Sequence, residues 1–99
     1  MIKVEVKNNK IEIKGHSGYD EYGKDIVCAS VSSIVITTIN ALIDIDSESI
    51  LYEDSNDKMI IEVLKNDEIT SKLINNMFCL LEELQNDYKN YIKILSFIY

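Results

Sequence analysis

Apolar and charged residues alternate at the start of the chain, which is the pattern of a half-buried β-strand. Ile2–Val6 alternates with lysine and glutamate, and Ile11–Lys14 repeats the alternation beyond Asn8 and Asn9. A period of two places successive side chains on opposite faces of a sheet. The two segments therefore predict a β-hairpin that turns at the asparagines.

A long apolar segment, Ile26–Ile43, is rich in β-branched residues, which on propensity alone favours a strand. Its length and its spacing predict a helix instead, because a typical strand is much shorter. The apolar residues that recur at steps of three and four are Cys28, Val31, Val35, Ile39 and Leu42. They spread well around the helix, so we expect it to be largely buried. Asp25 stands at the N-cap position, where its side chain would accept a hydrogen bond from the Cys28 N–H.

The second half of the chain repeats this order. Ile50–Glu53 and Lys58–Leu64 flank the polar segment Asp54–Asp57, which predicts a second hairpin. A second helix then follows, and its apolar stripe is the clearest helical pattern in the chain.

This second helix is predicted from Asn66 or Asp67 to about Tyr88, with Tyr91–Tyr99 as a last strand. Its stripe contains Ile69, Leu73, Met77, Leu80, Leu84 and Tyr88, widened by Ile74, Phe78 and Leu81. The order ββαββαβ predicts an α+β fold, a mainly antiparallel sheet with both helices packed on one face.

The 99 residues are expected to form a single domain, residues 1–99. With 46% hydrophobic and 27% charged residues, the composition is that of an ordinary globular protein. No apolar stretch approaches the roughly 20 residues that are needed to span a bilayer, so we expect no membrane partner. The alternating N-terminus does not resemble a signal peptide, and the two cysteines are then expected to be reduced thiols in the cytoplasm.

Seventeen acidic residues against ten lysines, with no arginine, give a net charge of −7. Nucleic-acid binding depends on basic side chains that neutralise phosphates, so we expect no direct nucleic-acid partner. A basic protein or peptide is easier to accommodate. Histidine and cysteine show no metal-ligand spacing, and the acids are scattered, so neither a metal nor a cofactor is expected.

The most informative segment is residues 15–30. All the glycines of the chain, Gly15, Gly18 and Gly23, lie in one loop that also carries its only histidine, His16. Cys28 follows just beyond this loop, where the first helix is predicted to begin. A thiol and an imidazole on either side of a flexible loop are the parts of a cysteine nucleophile and its base.

Two features would favour the reactive thiolate at Cys28. The first turn of a helix stabilises an anion through its unpaired N–H groups, and His16 could form an ion pair if the loop folds back. Asp25 is the natural third member, either as the group that orients the imidazole or as the helix cap. Backbone amides near Cys28 could serve as an oxyanion hole.

Plainer interpretations stay open for each of these residues. Buried cysteine is common as a small core hydrophobe, which would also explain Cys28, and a lone histidine is often only a structural residue. Tyr19 and Tyr22 either cover apolar surface or stack on a bound side chain. Cys79 lies on the polar face of the second helix, where nothing nearby would activate it, and is interpreted as a spectator or a subunit contact.

The residues of this segment resemble the ribosomal-processing cysteine protease Prp family. The matching positions are Gly15-His16-Ser17, Glu21-Tyr22-Gly23, Asp25-Ile26-Val27-Cys28-Ala29 and Ser32. The interval of twelve residues between histidine and cysteine is also that of the family. Ser17 and Ser30 depart from the pattern, because alanine or glycine is commoner there, but both are small and affect pocket detail more than chemistry.

The resemblance implies a homodimeric, cytoplasmic protease without cofactor. Such enzymes remove the N-terminal extension of a large-subunit ribosomal protein, the L-series protein twenty-seven, by cutting after a phenylalanine. Carried over by position, Cys28 would be the nucleophile, His16 the general base and Asp25 the aspartate of the motif. The loop residues expected to meet substrate are Gly15, Ser17, Gly18, Tyr19, Tyr22 and Gly23.

Two other classes of function remain beside the protease. One is a non-enzymatic module that binds a ribosomal protein or an assembly intermediate through the glycine loop. The other is a thiol-redox protein, which is disfavoured because the chain has no Cys-x-x-Cys pair. If the loop is a lid that closes on substrate, the free protein should hold His16 too far from Cys28 for a hydrogen bond.

Overall fold

The structure is a computed structural model, which describes residues 1–95. Its element order is the predicted ββαββαβ. The bounds are β1 Ile2–Lys7, β2 Lys10–Lys14, α1 Ile26–Ile45, β3 Ile50–Ser55, β4 Lys58–Val63, α2 Glu68–Asp87 and β5 Ile92–Ile94. The strand predicted over Tyr91–Tyr99 is therefore observed at Ile92–Ile94, and residues 96–99 lie outside the described part of the chain.

The five described strands form one sheet in the order β3-β4-β2-β1-β5. The two hairpins and the β2–β4 pair are antiparallel, and β5 joins the edge parallel to β1. The β2–β4 pairing aligns Lys14 with Lys58, so the end of β2 lies beside the start of β4. This alignment brings the loop after β2 next to the turn of the second hairpin.

One face of the sheet forms the core with the two helices, and the other face is rich in charge. The inner face contributes residues such as Val4, Ile11 and Ile61, all with no exposed surface. Their neighbours along each strand point outwards, where Lys58 pairs with Glu12 at 3.1 Å. The alternation seen in the first two strands therefore predicted the buried face of the sheet, and the fold class is confirmed.

Helix α1 begins where the sequence predicts, with Asp25 as N-cap. The expectation that it is largely buried is wrong, because its buried residues form one stripe, namely Val27, Val31, Val35, Thr38, Ile39 and Leu42. By length and composition alone this 20-residue helix is apolar enough to cross a membrane, contrary to the expectation from sequence. Core helices of globular proteins share that composition, and here the buried stripe packs into the common core.

Helix α2 begins after Asp67, whose side chain accepts a hydrogen bond from the Thr70 N–H at 2.8 Å. The predicted apolar stripe is displaced, because Ile69 is 54% exposed and Leu80 is 39% exposed. The buried residues are Thr70, Ile74, Met77, Phe78 and Leu81. Periodicity thus identified the helix. The buried centre of its apolar face, however, is formed by Ile74, Phe78 and Leu81, which the sequence places only at the edge of the stripe.

Candidate active site

The Asp25 carboxylate joins the start of α1 to the loop that precedes it. Its Oδ1 atom accepts hydrogen bonds from the backbone N–H groups of Val27 at 3.0 Å and Cys28 at 2.9 Å. Its Oδ2 atom accepts from the Ser17 hydroxyl and from the Tyr19 N–H at 3.2 Å. One oxygen therefore caps the helix while the other holds the loop against the helix start.

The same contacts keep Asp25 ionised. Partial burial disfavours the charged carboxylate, but the Ser17 hydroxyl and the N–H groups of Cys28, Asp20 and Val27 outweigh burial and lower the pKa of Asp25 to about 2. Of the two roles that the sequence left open for Asp25, the structure shows the helix cap. Both of its oxygens are engaged in this way, and its described hydrogen bonds include none to His16.

Ser17 lies beneath the glycine loop and is buried, with 3% of its surface exposed. Its backbone N–H donates to Cys28 Sγ at 3.4 Å, and its hydroxyl donates to Asp25. Sulfur is a weak acceptor when protonated, whereas a thiolate is a much stronger one. The N–H of Ser17 is therefore placed to stabilise negative charge on the Cys28 sulfur.

The middle of the loop divides into a fixed part and an open part. Tyr19 packs edge-on against Tyr88 at 5.5 Å and Tyr91 at 5.2 Å between ring centroids, next to the C-terminus of α2. Tyr22, by contrast, is 97% exposed. Of the two uses that the sequence allowed for these tyrosines, Tyr19 contacts other aromatic residues of the chain, while Tyr22 is free to meet a ligand.

His16 hydrogen-bonds to the second hairpin. Its Nε2 atom lies 2.6 Å from Asp57 Oδ1, and the backbone N–H of the preceding residue, Gly15, donates to the Asp57 carbonyl at 2.9 Å. The described hydrogen bonds of His16 include none to Cys28, as expected for a site that is completed when substrate binds.

A cleft of about 720 Å³ brings these groups together. His16 and Cys28 both line it, as do Asp25 and the apolar side chains of Ile13 and Met59. The glycine loop, the start of α1 and the β3–β4 turn form its walls. The Cys28 thiol and the turn of the second hairpin therefore border the same open cleft.

The predicted loop residues differ in their relation to the cleft. Four of them line it, namely Gly15, Gly18, Tyr22 and Gly23. Ser17 and Tyr19 do not, because Ser17 is buried below the loop and Tyr19 packs on Tyr88 and Tyr91. These two side chains hold the loop in place, and the expectation that they meet substrate directly finds no support in the geometry.

The expected oxyanion hole at the helix start is also altered. The N–H groups of Val27 and Cys28 donate to Asp25 Oδ1, and the Ala29 N–H donates to the Asp25 carbonyl at 3.0 Å. These three N–H groups are therefore already hydrogen-bonded to Asp25 and are not free to bind an oxyanion. The N–H that points at the Cys28 sulfur belongs to Ser17 in the loop.

Cys79 is exposed on α2 and does not line the cleft, which agrees with its interpretation as a spectator. Within residues 1–95, no group of three or more His, Cys, Asp or Glu side chains could hold a metal ion. Cys28 is half-buried at the cleft, so the two thiols differ in surroundings as well as position.

The sequence reasoning missed Asp57, the acidic residue that contacts His16. The sequence pattern places this residue only in the turn of the second hairpin. The missing step was the pairing of β2 with β4, which aligns Lys14 with Lys58 and places Gly15 beside Asp57. Alternating strands predict a sheet, but they do not specify which hairpins become neighbours.

Comparison with known proteins places this geometry among known folds. A relative from Mycoplasma pneumoniae, the ribosomal processing cysteine protease Prp, is 31% identical over 99 residues, covering 98% of this chain and 93% of the relative. The protein of the same name from Staphylococcus aureus (strain Mu50) is 30% identical, covering 91% and 88%. The crystal structure of the S. aureus protease Prp with a covalently linked product peptide superposes with a TM-score of 0.80, at 26% identity and 94% coverage of each chain.

A second S. aureus structure, with a substrate peptide, has a TM-score of 0.78 at 22% identity over 94% of each chain and supports the fold. The fold, together with a thiol and an imidazole on one open cleft, defines the class of the cysteine peptidases. A family model described as cysteine protease Prp matches residues 1–93. The chain belongs to the cysteine protease Prp family.

Proposed function

We propose that this chain removes the N-terminal extension of a large-subunit ribosomal protein, the L-series protein twenty-seven, with Cys28 as nucleophile and His16 as general base. The observation that carries the proposal is the cleft lined by both side chains, with the Ser17 N–H directed at the Cys28 sulfur. The relatives named ribosomal processing cysteine protease support the class of substrate.

The reaction follows from the chemistry of these two groups. The Cys28 thiol gives its proton to His16, and the sulfur attacks the carbonyl carbon of the scissile peptide bond. His16 then donates the proton to the leaving amine as the C–N bond breaks, which leaves a thioester on Cys28. A water molecule, deprotonated by His16, cleaves the thioester, and the free thiol is restored.

The positions of the charged residues support a basic substrate segment. Asp20 and Asp54 line the cleft, whereas Lys58 is the basic residue on the same wall. The partly exposed apolar side chains of Ile36 and Met59 are available to the hydrophobic part of the peptide. A peptide with an apolar side chain next to the scissile bond and basic residues nearby is therefore complementary to the cleft.

We also propose that the protein is a cytoplasmic homodimer. The exposed positions Ser33, Thr37 and Asn40 share a face of α1, and Ile26–Ile43 contains no charged residue although 27% of the chain is charged. An uncharged face is what a second copy of the same chain can cover at low desolvation cost. Sedimentation of the wild type beside Thr37→Glu tests this, since a charge on that face should shift a dimer towards the monomer.

The experiment that tests the activity is a cleavage assay with the extended ribosomal protein. Wild type and Cys79→Ala should cleave it, because Cys79 lies outside the cleft, whereas Cys28→Ala and His16→Ala should bind it without cleavage. Binding by the wild type with no cleavage would favour the alternative function, a non-enzymatic module for ribosomal proteins. Loss of activity in Cys79→Ala would contradict the assignment of the thiol.

A further inference from the structure

The contact between His16 and Asp57 has the geometry of a base and its orienting carboxylate. His16 Nε2 and Asp57 Oδ1 are 2.6 Å apart, a distance at which a hydrogen must lie between them. An ionised carboxylate can only accept, so the hydrogen belongs to Nε2. The Nδ1 atom is then the ring nitrogen with a free lone pair whenever the imidazole is neutral.

The backbone holds this pair together independently of the two side chains. The β2–β4 pairing ends with Lys14 opposite Lys58, and the Gly15 N–H donates to the Asp57 carbonyl at 2.9 Å one step further on. His16 thus lies two residues after β2 and Asp57 directly before β4, and these two strands pair in a fixed register. The carboxylate lies beside the imidazole before any ligand enters the cleft.

We propose that Asp57 is a positioning residue of the active site. It selects the tautomer of His16 with hydrogen on Nε2, so that Nδ1 takes the proton of Cys28 and returns it to the leaving amine. This inference rests on the proposed protease function of His16 and Cys28. It assigns to the β3–β4 turn the role that the sequence left open for Asp25, whose two oxygens hold the helix and the loop.

Solvent exposure makes the proposal testable without loss of the fold. The His16 and Asp57 side chains are 62% and 66% exposed, and exposed ion pairs contribute little to stability. Asp57→Ala should therefore unfold at nearly the temperature of the wild type. A change in activity would then report on the imidazole rather than on the fold.

The first measurement is the tautomer of the imidazole. Because His16 is the only histidine, protein labelled with 15N-histidine gives one pair of ring nitrogen signals. With the ring neutral, wild type should show hydrogen on Nε2, and Asp57→Ala should show a mixture of tautomers. Asp57→Asn keeps an oxygen acceptor at this position and should restore much of the wild-type pattern. Glu53→Gln, an exposed residue of β3 outside the cleft, is the control of equal charge change.

The second measurement is kinetic. We expect Asp57→Ala to lower kcat about tenfold with little change in KM, a smaller loss than the 10²–10⁴ that a general base supplies. The kcat of Asp57→Asn should lie between those of Asp57→Ala and the wild type. The rate of Cys28 alkylation by iodoacetamide should follow the same order. Wild-type tautomer and kcat in Asp57→Ala would overturn the inference.

Failure of the proposed function would look different. A wild-type protein that cleaves nothing, but whose tautomer and Cys28 alkylation still respond to Asp57→Ala, would overturn the protease assignment and leave the positioning of His16 in place. Cleavage by Asp57→Ala at the wild-type rate would overturn the role proposed for Asp57 but not the roles proposed for Cys28 and His16.

Discussion

The backbone N–H of Ser17 donates to the sulfur of Cys28 across a distance of 3.4 Å. This contact depends on the Ser17 hydroxyl, because that hydroxyl binds Asp25 Oδ2 and fixes the backbone of the loop beside the helix start. A donor aimed at sulfur favours the charged form of the thiol. The buried serine thus places a hydrogen-bond donor against the sulfur of a cysteine that lies eleven residues further along the chain.

The two cysteines provide an internal comparison of this effect. We expect Cys28 to react faster than Cys79 with iodoacetamide near neutral pH, although Cys79 is exposed and Cys28 is only half-exposed. Exposure alone predicts the reverse order, so peptide mapping by mass spectrometry separates the two explanations. Ser17→Ala should slow the alkylation of Cys28 and leave the alkylation rate of Cys79 unchanged. Equal rates for both thiols in the wild type would remove the main physical argument for activation.

Replacing Asp25 should separate its two roles. Asp25→Ala removes the helix cap and the loop anchor, and the cap alone is worth about 1 kcal/mol of unfolding free energy. Asn caps helices nearly as well as Asp, but the NH2 group that would replace Oδ2 cannot accept the hydrogen bonds from Ser17 and Tyr19. Urea unfolding should thus show a smaller loss for Asp25→Asn than for Asp25→Ala. Cys28 alkylation should be slowed in both; wild-type reactivity in Asp25→Asn would contradict the anchoring role.

The stability of the protein should fall in acid partly because of Asp25. The pKa of this carboxyl is about 2 in the folded protein and 3.8 ordinarily, so the unfolded chain binds its proton first as the pH drops. Its contribution is complete above the ordinary value and declines as the pH falls towards about 2. The difference in unfolding free energy between wild type and Asp25→Asn should be constant above about pH 5 and shrink below about pH 4. A difference that grows in acid would contradict the assigned direction.

Two glycines of the loop should respond differently to alanine. Gly15 has φ +94°, and an added Cβ would lie 2.7 Å from the carbonyl oxygen of Met1. Gly18 has φ +74°, but a Cβ added to Gly18 would have no other atom within 4 Å. Gly18→Ala should lower the unfolding free energy by about 1–2 kcal/mol, because alanine disfavours the left-handed conformation. Gly15→Ala adds a backbone clash and should lower it further. Thermal unfolding of both variants measures the difference, and equal losses would show that the β1 end moves aside.

A row of lysines on the outer face of the sheet should be open to stabilisation. Lys14 stands directly between Lys3 and Lys58 in the strand register, and like charges in this position destabilise a sheet. Lys14→Glu should raise the unfolding free energy by about 0.2–1 kcal/mol at low salt. Lys14→Gln, which removes the charge without reversing it, should give a smaller gain. The gain should shrink as salt screens the charges, and a gain independent of salt would point to packing instead.

Local patterns were sufficient for the elements of this fold. The alternation at Ile2–Val6, the steps of three and four after Cys28 and the cap at Asp25 each involve residues close in sequence. Strands, helices and caps depend mainly on such short-range geometry, and the seven predicted elements are confirmed in order, with the last strand described only at Ile92–Ile94. The motif from Gly15 to Ser32 likewise indicated the family.

The sequence predicted less well which residues lie at the centre of the buried face of each helix. Ile69 and Leu80 belong to the predicted stripe of α2 yet are exposed, and the outer face of α1 is uncharged but not buried. A periodic pattern shows that one side of a helix is apolar. It does not show which of several apolar residues faces the sheet, because that depends on the rotation of the helix in the packed domain.

By itself, the sequence determined that a thiol, an imidazole and a capping carboxylate lie around one glycine loop, since Cys28, His16 and Asp25 are near neighbours along the chain. Only the tertiary structure decided how they are used. Asp25 binds Ser17 and the helix start, while His16 binds Asp57, which is 41 residues away. The reason is physical: strand pairing is set by packing of the whole sheet, and the β2–β4 register brings Asp57 to the imidazole.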